Sequence, residues 1–267
     1  MRKLWQRIKN FQREILQRVR EDKRAFFVFS VLFFIIVIIL VQGVRGARWD
    51  RVFTGGLCLL LLFLPPLIEH TFSLQMPATL EISAYVFVFC AGVLGEIGDF
   101  YRRFAFWDTM LHAANGFLFA GFGFCLFSLF EKRRRVRTLP SPAYQSFTAF
   151  CFSETVGVLW EVFEFAADRF LHTDMQKDTL QGELHTVWLP AKNGGVVHVE
   201  NIVSVEIKVA NGTSFSLPGY LDVGLADTMW DLLVNLFGAL AFCVIGYLYL
   251  KHQRGALAAQ FIPRVRE

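Results

Sequence analysis

Six blocks of about twenty apolar residues recur along this 267-residue chain, and that recurrence limits its fold more than any other feature. They are Ala25–Gln42, Phe53–Ile68, Leu80–Gly98, Met110–Phe130, Phe147–Phe170 and Met229–Leu250. Twenty helical residues span about 30 Å, the thickness of a bilayer's hydrocarbon core. Backbone polar groups in lipid must be satisfied within the segment, so each block reads as a membrane-spanning helix. Hydrophobic residues make up 54% of the chain and aromatics 16%, more than a soluble domain of this length would carry. The expected fold is an all-α polytopic membrane protein with about six transmembrane helices.

The polar stretches divide the chain further. Residues 1–24 hold nine Lys and Arg, with Leu4, Ile8, Phe11, Ile15 and Val19 repeating at helical spacing. That pattern suits a basic amphipathic helix on the cytoplasmic membrane surface. Residues 25–170 carry transmembrane helices one to five. Residues 171–226 form a polar extracytoplasmic loop, 227–250 the sixth helix and 251–267 a cytoplasmic tail. With both termini inside, 18 of the 27 Lys and Arg face the cytoplasm and nine face outward, which fits the positive-inside bias. The five cysteines sit inside apolar blocks at spacings that match no metal motif and no disulfide framework. Nothing supports nucleic-acid readout, and no phosphate-binding Gly loop is present.

Within 171–226, Ile202–Val209 alternates apolar and polar residues. Asn211-Gly212 follows, then Ser214–Leu217, which predicts a β-hairpin with a tight turn. Thr186–Leu189 and Val196–Val199 are candidates for further strands. A small β-rich extracytoplasmic insert is expected.

One helix carries acid through an apolar setting. Glu154, Gly157, Glu161, Glu164 and Asp168 fall three or four apart, on one helical face. Each carboxylate at a helix centre costs roughly 2.5–3.5 kcal/mol to insert, so such residues need partners and usually a task. The surrounding sequence reads as a duplicate. Gly92-Val93-Leu94 precedes Glu96, Asp99 and Phe100; Gly157-Val158-Leu159 precedes Glu161, Glu164 and Phe165. Asp108-Thr109-Met110 then leads to His112, and Asp227-Thr228-Met229 leads to Asp231 and Asn235. Spans three and four therefore read as a two-helix unit repeated in spans five and six.

If these helices bundle, their acids meet just below the outer membrane face. Glu96, Asp108, His112, Glu161, Asp227 and Asp231 are the candidate metal ligands. Glu164 is the candidate general base, and Asp99, Asp168, Asn235 and Glu154 are further site candidates. Oxygen donors with one imidazole suit a divalent cation such as Mg²⁺, Mn²⁺ or Zn²⁺. Plainer readings stand beside these. Asp108 and Asp227 are placed to cap their helices. Asp99 and Asp168 could lie at the wet interface, and His112 could be a hydrogen-bonded core residue. Glu161 and Asp231 lie a turn or more inside apolar helices, where neither capping nor solvent helps.

Glu161-x-x-Glu164, Asp108-x-x-x-His112 and Asp227-x-x-x-Asp231-x-x-x-Asn235-x-x-Gly238 resemble the YjdF-like family of predicted bacterial inner-membrane proteins. More distantly they resemble the VanZ-like proteins linked to glycopeptide resistance. The resemblance covers about residues 80–250. It implies a bacterial inner-membrane location and supplies no reaction. Three functions stay open. One is a metal-dependent enzyme acting on a lipid head group or polyprenyl phosphate in the outer leaflet. The second is a cation- or proton-coupled transporter. The third is a non-catalytic protein that binds a partner through its β insert.

Overall fold

A computed structural model describes residues 23–134, 140–190, 195–252 and 256–265. Residues 1–22, most of the expected basic surface helix, lie outside the described residues.

The apolar blocks fold as helices. The first, α1, is Lys23–Arg45. The second block breaks into α2, Trp49–Leu62, and α3, Leu64–Phe72, with Phe63 between them. Proline stands in the first turn of α3, where its missing N–H costs nothing and its fixed φ suits the start of a helix. Pro65-Pro66 therefore breaks the second block and starts a new helix. The third block starts as α4, Ala78–Val88, and continues as nine π-helical residues, Phe89–Ile97. A short α5, Phe100–Arg103, precedes α6, Trp107–Arg134. The remaining long helices are α7, Pro142–Leu171, and α8, Leu225–His252, with a short α9 at Ala256–Ala259.

Among the described residues, five spans are long and apolar enough to cross a membrane: Lys23–Arg45, Trp49–Phe72, Ala78–Ile97, Trp107–Leu126 and Leu225–His252. The protein is largely α-helical and polytopic. Six apolar spans were expected, and α7 is the exception. It forms over 30 residues, about 45 Å. Glu154, Glu161, Glu164, Asp168 and Arg169 make it too polar to count as a span by composition alone.

The chain divides into two compact units, Met1–Gly157 with Val234–Glu267, and Val158–Leu233. Among its described residues the first has two apolar clusters. Ile36, Cys58, Leu62, Tyr85 and Val93 join α1, α2, α4 and the π-helical segment. Ala120, Phe124, Ala149, Ala239, Phe242 and Cys243 join α6, α7 and α8, with Phe261 and Ile262 packed against them. In the second cluster two helices meet backbone to backbone. A Cβ on Gly116 would lie 2.0 Å from the Asn235 carbonyl oxygen, and one on Gly238 would lie 2.1 Å from that of Ala113. Only glycine permits so close an approach, as in many membrane helix pairs. A two-residue ladder, β1 (Leu74–Gln75), pairs antiparallel with Arg264–Val265 near the C-terminus.

The second unit holds the β insert. The predicted hairpin is present: β5, Val205–Lys208, pairs with β6, Ser214–Leu217, in the register Lys208↔Ser214. Asn211 Oδ1 accepts from the Thr213 N–H at 3.0 Å, and Gly212 takes φ +87°. The candidate strand Val196–Val199 forms as β4, Val197–Val199, but its partner β3 is Leu184–Thr186, which shares only Thr186 with the expected Thr186–Leu189; Val187–Leu189 lie outside the ladder. A third ladder was not expected. There β2, Thr179–Gln181, pairs with β7, Tyr220–Asp222, and closes the insert at its base.

Candidate functional site

The acid stripe on α7 faces inward. Glu161 is 5% exposed and Glu164 8%, and Ser153, Gly157 and Ala167 are buried on the same face. On the opposite face Leu159 is 62% exposed and Phe165 59%, with Val158 and Val162 exposed beside them. This is the reverse of a soluble amphipathic helix: the polar face is packed and the apolar face is bare. A bilayer is the solvent that such a helix suits. Helix α8 repeats the pattern, with Asp231 2% exposed and Asn235 fully buried, while Met229, Trp230, Leu233 and Phe237 point outward.

In the first unit these inward faces build a polar chain across three helices. Asn115 Nδ2 on α6 donates to Asn235 Oδ1 on α8 at 2.7 Å. Asn235 Nδ2 in turn donates to Glu154 Oε1 on α7 at 3.0 Å. Ser153 Oγ donates to the Gly116 carbonyl at 2.8 Å, tying α7 to α6. Glu154 therefore has a defined partner in Asn235. Asn115 and Ser153 were not anticipated. The signal for Asn115 was available, since it lies three residues beyond His112 and seven beyond Asp108, on one helical stripe.

Asp108 and His112 form an acidic/His pair one turn apart on α6. Nε2 of the imidazole lies 3.6 Å from the Asp108 carboxylate, with the histidine buried and the acid half-buried. Glu96 is exposed near the end of the π-helical segment, and Asp99 is exposed just past it in a left-handed conformation, φ 62°. Asp99 lies 4.0 Å from Arg102. The two proposed repeat copies thus differ in backbone. Gly92–Ile97 is π-helical, whereas Gly157–Phe165 lies in regular α-helix.

In the second unit Glu161, Glu164 and Asp231 are buried, and Trp160 Nε1 donates to Glu164 Oε1 at 2.8 Å. Asp168 and Asp227 order the loop that leaves α7. Asp168 accepts from Thr173 Oγ1 and the Met175 N–H at 2.7 Å and from the Gln176 N–H at 2.8 Å. Asp227 accepts from the Lys177 N–H at 2.7 Å. Asp168 is therefore no idle interfacial acid. The N-terminus of α8 is capped from further upstream, by Asp222 accepting from the Ala226 N–H at 2.6 Å. Asp178, in the same loop, has its carboxyl pushed up from the usual range by partial burial and by the charges of Asp174, Asp168 and Asp222.

One buried acid escaped the sequence reading. Glu69 is buried near the end of α3 and accepts from the Met76 N–H at 2.5 Å, which holds the turn after that helix.

The family described as "Predicted membrane protein (DUF2238)" matches residues 25–252. The chain belongs to this family. Its members are predicted membrane proteins, in keeping with the five apolar helices and with the resemblance drawn from the acidic motifs. An uncharacterised protein of Thermotoga maritima is 30% identical over 109 residues, which is 41% of this chain and 54% of that protein. The chain thus matches about half the length of this relative. No solved structure matches.

Proposed function

We propose that this DUF2238 protein holds a divalent cation among its inward-facing acids and uses it on a lipid-linked phosphate or lipid head group at the outer membrane face. The observation that carries the proposal is the inversion of α7 and α8. Both bury carboxylates and expose apolar side chains, an arrangement whose cost calls for a compensating charge. Asp108 and His112 supply an oxygen and an imidazole nitrogen as donors. The sequence repeat, which aligns Asp108 with Asp227 and His112 with Asp231, is the reason for adding the second pair. Buried Glu161 and exposed Glu96 are the remaining proposed ligands, Glu96 being the one that does not face inward.

A bound Mg²⁺, Mn²⁺ or Zn²⁺ would polarise a phosphoryl oxygen or activate a water. Glu164, oriented by the Trp160 indole, is the proposed general base. The bacterial inner membrane and cytoplasmic termini belong to the same proposal. Its test is the metal content of tag-free, detergent-purified protein. We expect about one divalent ion per chain in the wild type, and loss of most of it in Asp231→Asn and in His112→Ala. Equal, negligible content in all three would reject the proposal.

A second reading has its own support. The chain Asn115–Asn235–Glu154 carries polar groups between three helices, with Glu154 seven residues before Glu161 on α7. Such a path suits cation- or proton-coupled transport. Purified protein in liposomes would then move protons or a divalent cation down an imposed gradient, and Glu154→Gln would abolish the flux.

A further inference from the structure

A second set of metal-seeking side chains lies in the β insert, on residues with no part in the proposal above. His185 on β3 and His198 on β4 are directly opposite each other in the antiparallel register. Their Nδ1 atoms are 2.6 Å apart, with the rings edge to face and centroids 4.4 Å apart. Side chains alternate along both strands. Leu184, Thr186, Val197 and Val199 take the half-buried face, and the two histidines take the exposed one. Extending the register by one pair sets Glu183 opposite Glu200, two residues from the histidines and on that same exposed face. A histidine pair therefore sits beside a carboxylate pair, open to water, on a two-stranded ribbon.

Two imidazoles at this separation share one proton: one Nδ1–H donates and the other Nδ1 accepts. Replacing that proton with a metal ion keeps both nitrogens facing the same point. Metal–nitrogen bonds of about 2.0–2.1 Å at a tetrahedral angle need the nitrogens about 3.3 Å apart. The rings must open by about 0.7 Å, which side-chain rotation on an exposed face allows. Imidazole nitrogens select Zn²⁺ or Cu²⁺ over Mg²⁺ and Ca²⁺, and flanking carboxylates add favourable charge.

We propose that His185 and His198, flanked by Glu183 and Glu200, form a surface site for a divalent transition-metal ion on the β insert. It is separate from, and does not rest on, the acidic site proposed for the membrane helices.

The test uses full-length, tag-free protein in detergent micelles, with Cu²⁺ followed by electron paramagnetic resonance and Zn²⁺ by calorimetry. In an Asp231→Asn background we expect one Cu²⁺ per chain with hyperfine structure from two nitrogens. His185→Ala or His198→Ala should each weaken Zn²⁺ binding at least tenfold and reduce the nitrogen signature, while the double Glu183→Gln, Glu200→Gln variant should weaken it less. Ca²⁺ should give no heat. All variants should keep the parent's elution volume and melting temperature without metal. Zn²⁺ affinity unchanged in the folded His185→Ala, His198→Ala double variant would overturn the proposal. So would a Cu²⁺ spectrum without nitrogen structure in the parent.

Discussion

Asn235 connects three helices through one amide. Its oxygen accepts from Asn115 and its Nδ2 donates to Glu154, with the whole residue buried. Removing it leaves a donor and a carboxylate without their partner, a cost of about 1–3 kcal/mol. Asn235→Ala should lower the melting temperature in detergent by several degrees. Glu154→Gln, which keeps an accepting oxygen, should change it far less. Outside the bilayer Asp178 offers a test of sign. Its folded-state pKa is raised, so its charged form opposes folding above that pKa and the penalty disappears below the unfolded value near 3.8. Asp178→Asn should therefore melt slightly higher than wild type at pH 7, and the difference should vanish near pH 3.

Among the elements, α7 and α8 were the most legible, because helical spacing is a local rule. Glu154, Glu161, Glu164 and Asp168, spaced seven, three and four apart, must share a face wherever the helix ends up, and an apolar flank decides which face turns inward. The Asn211-Gly212 hairpin was legible for a similar reason, since two residues determine the turn. What escaped depends on contacts between distant residues or on backbone without a side-chain signature. The π-helical run Phe89–Ile97 looks like any apolar helix in sequence, yet it separates Glu96 in backbone geometry from Glu161, which the repeat would align with it. Pairing of Thr179–Gln181 with Tyr220–Asp222 joins two three-residue strands from opposite ends of a long loop. The loop-holding roles of Asp168 and Asp227 come from backbone donors that no side-chain pattern reveals. Helix pairing at Gly116 and Gly238 yields a prediction at this scale. A single added methyl must displace backbone, so Gly116→Ala and Gly238→Ala should each destabilise by about 1–3 kcal/mol or more. Ala substitution at Gly56, which has open space, should not. Thermal melts of the three variants in one detergent would decide it.

For the molecule as a whole, the apolar helices and the family match agree on a membrane protein, and the distribution of Lys and Arg argues for its orientation. A fluorescent protein fused to either terminus should therefore light up in cells, and alkaline phosphatase at the same places should stay inactive. A phosphatase inserted after Gly212, at the hairpin turn, should be active. The opposite pattern would reverse the assignment and move the β insert to the cytoplasm.

The inverted character of α7 also bears on how the chain is made. A translocon admits a nascent segment according to its own hydrophobicity, and four carboxylates on this one raise its cost by roughly 2.5–3.5 kcal/mol each near the centre. The asparagine that answers Glu154 belongs to α8, which leaves the ribosome only after the entire β insert. Stable entry of α7 should then depend on its later-born neighbour: in isolated membranes a chain truncated before Leu225 should leave α7 open to protease, where the full chain is protected.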